Sequence, residues 1–112
     1  MLELVPAGMS TRGSMAPRPR YAEQLRSEDL SVGRYVIPVG ARDLQEPHTE
    51  DEVYVVHSGR ARLVTPDGAV EVAAGSVVFV PAGEDHRFED ITEELVVTVV
   101  FGPAEGTRAT GE

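Results

Sequence analysis

The chain has no cysteine and no lysine. Without cysteine there are no disulfides, no thiolate metal ligands and no thiol nucleophile. Without lysine there is no Schiff-base chemistry and no covalent anchor for pyridoxal phosphate. All 10 basic residues are therefore arginine. Also missing is any apolar run near the roughly 20 residues that a membrane helix needs. The opening "MLELVPAGMSTRGSMAPRPR" lacks the apolar centre of a signal peptide, so the chain is expected in the cytoplasm and off the membrane. Positive charge is scarce too. A net charge of −9 argues against nucleic acid, whose phosphates need a basic footprint, and against anionic membrane surfaces. Only the first twenty residues are basic, with Arg12, Arg18 and Arg20 against Glu3.

What remains is a chain of 112 residues, a length for one domain with a small core. Residues 1–20 are rich in Gly, Pro, Ser and Arg and show no periodicity, which predicts a disordered arm. "YAEQLRSEDL" at 21–30 reads as a short helical turn. From residue 31 the pattern changes to short segments rich in valine and aromatics, such as "EVYVVHSG", "SVVFVPA" and "ELVVTVVFG", punctuated by Gly, Pro and Asp. In "TPDGA" the Asp67-Gly68 pair is expected to supply the positive-φ positions of a hairpin. Several short strands spaced by turns predict an all-β sandwich or barrel over 21–103, with a polar, flexible tail over 104–112.

The chemistry gathers around "EPHTEDE", residues 46–52. Strand side chains alternate between faces, so Glu46, His48 and Glu52 can share one interior if the flanking segments are strands. His86, after a Pro-x-Gly turn, projects from another. Glu50 and Asp51 are expected at a solvated corner, and Glu84 and Asp85 in a solvated turn. His57 has the opposite parity to Glu52 and is expected on the surface.

These residues bring in a known pattern. The stretch from Gly40 to Gly59, with Glu46, His48 and Glu52 between, resembles the first motif of the cupin family: a glycine, a His-x-His pair, a glutamate and a second glycine at fixed intervals. Gly75, Pro81, Gly83 and His86 match the second motif, and Asp90 stands where that family ends on asparagine. The similarity spans about residues 31–102 and implies a double-stranded β-helix, or jelly-roll, barrel. It also implies one divalent metal held by His48, Glu52 and His86, with Glu46 at a position usually occupied by histidine. Two readings of Glu46 stand. As a carboxylate ligand it completes a set of two His and two Glu, suited to Mn or Fe and open to Zn, Ni or Co. Turned to solvent, it leaves a degenerate site. Two carboxylates in one apolar interior repel each other and call for a cation, which favours the ligand.

Arg34 or Tyr35, Tyr54 and Phe88 are the candidate pocket residues; an inward Arg34 would favour an anionic substrate. The resemblance implies a metal-dependent enzyme on a small metabolite, dioxygenase-like or isomerase/lyase-like, with Glu46 or Glu52 moving a proton. The alternative is a non-catalytic sugar- or metabolite-binding module. A small-molecule partner and a homodimer are expected.

Overall fold

The computed structural model describes residues 2–4 and 18–110. Most of the expected arm over 1–20 lies outside them, as do residues 111 and 112. The described residues form six strands: β1 (Arg20–Arg26), β2 (Ser31–Ile37), β3 (Asp51–Thr65), β4 (Gly68–Ala73), β5 (Val77–Val80) and β6 (Arg87–Gly102). A short helix, α1 (Thr107–Thr110), follows. All pairings are antiparallel, in the order β1-β2-β6-β3-β4, with β5 on β3. The all-β expectation is met. The helical turn expected at 21–30 is not: Tyr21 to Arg26 extend along β2, and their alternating burial is that of an edge strand. Pairing with a neighbouring strand overrides a weak local helical preference.

One long sheet curls around a single core because its two longest strands bend together. In β3 the even residues Glu52, Tyr54 and Val56 are buried; beyond a register shift the odd residues Ala61 and Leu63 take over. Such a bulge adds a residue, flips the parity and sharpens the twist. Gly59 sits in that shift at φ 99°. A Cβ there would lie 2.2 Å from the Glu94 carbonyl oxygen and 2.6 Å from Leu95 Cα, so only glycine lets β6 pass this close. In β6, Leu95, Val97, Val99 and Phe101 face the core, joined by Ile37, Phe88 and Ile91. Each such buried side chain contributes about 1.5–3 kcal/mol of transfer free energy.

The β3–β4 hairpin closes at Thr65↔Gly68, so Pro66 and Asp67 form its two-residue turn. Only Gly68 of the expected pair has positive φ. No helix among the described residues is long and apolar enough to cross a membrane.

Candidate metal site

Three side chains from distant points of the chain meet at one end of the core. Glu52 comes from the second position of β3, His48 from the loop just before it, and His86 from the loop that enters β6. A backbone hydrogen bond from Gly83 N to the His48 carbonyl, 2.8 Å long, ties the two loops together. One potential ligand atom from each residue lies within 4.8 Å of the others. His86 and Glu52 are each 2% exposed, so neither can use solvent to balance its charge or lone pairs.

The hydrogen bonding of this trio is incomplete. His86 Nδ1 is 2.9 Å from the Glu84 carbonyl, which only accepts, so Nδ1 carries the hydrogen. In the neutral ring Nε2 is then a lone pair. It lies 3.0 Å from Tyr54 Oη and 3.1 Å from Glu52 Oε1. That carboxylate oxygen is closed from solvent and has no hydrogen-bond partner. The Tyr54 hydroxyl can donate to the Nε2 lone pair, which leaves the Glu52 oxygen as the unsatisfied acceptor. Either a proton or a cation relieves this. Burial pulls the His86 pKa down, but the Glu52 carboxylate and the Glu84 carbonyl outweigh it and hold the imidazole above its usual range. Two imidazoles and a carboxylate are also a donor set for a divalent transition metal, and an orphaned carboxylate oxygen inside it fits that use.

A polar network supports the trio. Gln45 donates through Nε2 to Asp43 Oδ2 at 2.6 Å, which turns its Oε1 inward. That oxygen meets His48 Nε2 at 3.3 Å and Tyr54 Oη at 3.2 Å. Buried Asp43 also takes the Tyr35 hydroxyl and the Phe88 backbone N–H. Phe101 meets the His48 ring edge-on, with centroids 4.7 Å apart. Beside the trio opens a cavity of about 180 Å³, walled by Tyr21, Tyr35 and Tyr54, by Val99 and Phe101, and by the carboxylates of Glu52 and Glu105. Gly33 makes room for Tyr21: a Cβ there would lie 2.1 Å from its hydroxyl. Burial, reinforced by nearby carboxylates, raises the pKa of all three phenols, which stay protonated.

Several sequence expectations change here. Glu46 is exposed and stands apart from the trio. Its inward placement assumed a strand, but residues 41–48 form no ladder, so alternation does not apply. Gln45 and His48 are the residues of that segment that reach the pocket. A proton-moving role in the pocket is thereby removed from Glu46. Arg34 points away from the cavity: it pairs with Thr98, while its neighbour Tyr35 pairs with core residue Val97 and lines the pocket. Tyr54 lines the cavity, whereas Phe88 backs the Tyr54 ring at 4.8 Å without reaching that space. Glu50 is not solvated but 1% exposed. It accepts from Thr49 Oγ1, Gly106 N and Arg108 N. Burial opposes its charge, yet these bonds prevail and hold the carboxyl below its usual range. The tail is not free over 104–108: Ala104 is buried and Glu105 lines the cavity. Asp51, Asp85 and His57 are exposed as expected, with His57 against Thr98 on the outer face; Glu84 is half-buried. Gln45, Tyr21, Glu50 and Glu105 carried no motif, and only their tertiary neighbours reveal them.

Comparison with known proteins follows the same lines. Residues 33–101 match the family model described as "Cupin domain". A relative from Streptomyces coelicolor, "Uncharacterized protein SCO3923", is 49% identical over 85 residues, 76% of this chain and 81% of the relative. Among solved structures, a cupin superfamily protein from Desulfitobacterium hafniense superposes with a TM-score of 0.73 at 13% identity, covering 90% of this chain and 99% of the other. An RmlC-like cupin with a double-stranded β-helix fold from Methanocaldococcus jannaschii gives 0.72 at 16%, covering 92% of each chain. The EutQ protein of Clostridium difficile gives 0.66 at 17%, covering 76% and 68%. At these identities the structures establish the double-stranded β-helix fold alone.

Proposed function

The chain belongs to the cupin family, and on that premise we propose that it is a metal-dependent enzyme holding one divalent ion between His48, Glu52 and His86 and acting on a small uncharged metabolite. The observation that carries this reading is the buried, partnerless Glu52 Oε1 opposite His86 Nε2. Two histidines and one carboxylate with open positions suit non-haem Fe(II), and the same donors accept Mn, Zn, Ni or Co. When bound, such an ion supplies Lewis-acid polarisation of a substrate oxygen. Glu52 and the imidazoles fix the position of the charge. The three protonated phenols offer hydrogen bonds to substrate hydroxyl or carbonyl groups, while Val99 and Phe101 exclude water.

Two features support an uncharged substrate. No arginine lines the cavity among the described residues, and its carboxylates, Glu52 and Glu105, already balance a divalent charge. The cavity, about 180 Å³, is on the order of one that admits a benzene-sized molecule. A second reading, a metabolite-binding module without turnover, is favoured by the state of the titratable groups: the phenols stay protonated, and Glu52 and His86 are turned to each other. A homodimer is the proposed assembly, since among the described residues β1 and β4 end the strand order and leave open edges that need covering; a monomer in light scattering counts against it.

Metal analysis of protein purified without added metal tests the first reading. Less than about one tenth of an equivalent sinks it, given how tightly such sites hold their ions. Iron with oxygen uptake supports the dioxygenase-like form, and Zn, Mn or Ni with turnover of an enolisable carbonyl compound supports the isomerase/lyase-like form. Saturable ligand binding with no turnover in any metal form selects the binding module.

A further inference from the structure

The last described turn is attached to the barrel with more bonds than a tail requires. Glu105 N donates to Ser31 Oγ at 2.9 Å, and the Glu105 carbonyl accepts from Arg26 Nη2 at 2.8 Å. Gly106 N and Arg108 N donate to the two carboxylate oxygens of Glu50, at 2.9 and 2.8 Å. Ala104 is 2% exposed beneath them. The turn is thus gripped on both sides of Glu105, and its side chain is carried into the cavity wall. There Glu105 Oε2 stands 3.6 Å from His48 Nδ1, an ion-pair distance just beyond hydrogen-bond reach.

The other ring nitrogen of His48 looks inward. His48 Nε2 shares Gln45 Oε1 with the Tyr54 hydroxyl, which itself touches His86 Nε2. For Nε2 to serve an ion, it must be a lone pair and the ring hydrogen must sit on Nδ1. A carboxylate is a stronger acceptor than the amide oxygen on the opposite side, so a small approach of Glu105 from its 3.6 Å distance is enough to draw the hydrogen to Nδ1. Carboxylate partners of this kind orient metal-binding histidines and raise their basicity.

We propose that Glu105 is the positioning residue of His48, and that Glu50 is the latch that brings it there. The functional consequence rests on the metal reading above and deepens it. His48, Glu50 and Glu52 then divide the work along one short stretch. The first and third face the site. The middle one holds the C-terminal turn that completes the surroundings of the first. Closing the turn and setting the ring become one event.

The test uses the full chain and Zn(II) alone as probe. Glu105→Ala is expected to weaken Zn(II) binding by about tenfold or more, while Glu105→Gln, which keeps an acceptor oxygen but loses the charge that outcompetes the Gln45 amide, falls between the wild type and Glu105→Ala. The backbone bonds of the turn do not involve this side chain, and an unchanged circular dichroism melt in chelator confirms that the variant is folded. Glu50→Gln is expected to speed hydrogen exchange at Gly106 and Arg108 and to shift affinity in the same direction. Combined with Glu105→Ala it adds little, because both act on one contact. Unchanged Zn(II) affinity in Glu105→Ala overturns the proposal. If the wild type takes up no Zn(II), the metal reading falls, and the 15N signals of the neutral His48 ring decide the pairing by themselves. A hydrogen that leaves Nδ1 in Glu105→Ala sustains it; a ring that does not respond refutes it.

Discussion

Glu52→Gln should change the stability of the metal-free protein with opposite signs at low and high pH. Burial works against the charge on His86, but Glu52 leads the contributions that raise its pKa. A raised folded pKa means stabilisation that is fully present below the unfolded value, about 6.5, and lost as pH rises through the folded value. On the acid side, the imidazolium faces a carboxylate 3.1 Å away. The substitution replaces a charged partner with a neutral one, a difference of about 1 kcal/mol, or a melting temperature lower by about 4–8 °C. On the alkaline side, the neutral ring presents a lone pair to an oxygen that has no partner. There the introduced amide can donate to Nε2 and remove an unsatisfied acceptor worth about 1–3 kcal/mol, so the variant should melt at or above the wild type. The assay is thermal unfolding in chelator across the imidazole range, repeated with Zn(II) or Mn(II). Added metal at about 100 times its Kd should stabilise the wild type by about 2.7 kcal/mol and the variant far less. A variant less stable by the same amount at every pH, or one stabilised by metal as well as the wild type, refutes the account of the Glu52–His86 pair.

Three further outcomes follow from the geometry. Glu46→Gln should leave metal content unchanged and stability within about 0.5 kcal/mol, because Glu46 is exposed; metal analysis and a melt check both. Gly59→Ala should destabilise by about 1–3 kcal/mol from its backbone at φ 99° alone, and further because the added carbon meets the Glu94 carbonyl; a denaturation midpoint close to wild type contradicts this. Tyr54→Phe removes the hydroxyl between His86 and Gln45 and should cost about 1 kcal/mol while Zn(II) still binds; loss of the metal would make the phenol a ligand.

The barrel was legible because its signals are local and repeated. Valine-rich alternation, turn glycines and the hairpin at 65–69 each act over a few residues, and all point to the same fold. Glu52 and His86 were legible for a related reason. Glu52 lies within a strand, where parity holds, and His86 enters one after a turn marked by Pro81 and Gly83. Glu46 was misplaced because the parity argument was carried into residues 41–48, where no neighbouring strand enforces alternation. Arg34 and Tyr35 were indistinguishable in sequence, since both faces of β2 are partly covered. The register with β6 decides between them.

By itself, the sequence determined an all-β domain, ruled out thiol and amine chemistry, and marked two histidines and a glutamate at intervals that a barrel can bring together. Only the tertiary structure decided which carboxylates meet that trio. Glu46, two residues from His48, lies outside; Glu105, far along the chain, lies against it. The physical reason is that a charge's environment is set by what packs around it. Glu50 shows this most directly: its neighbours in sequence suggest a solvated corner, yet its partners are backbone N–H groups of a turn more than fifty residues further along the chain.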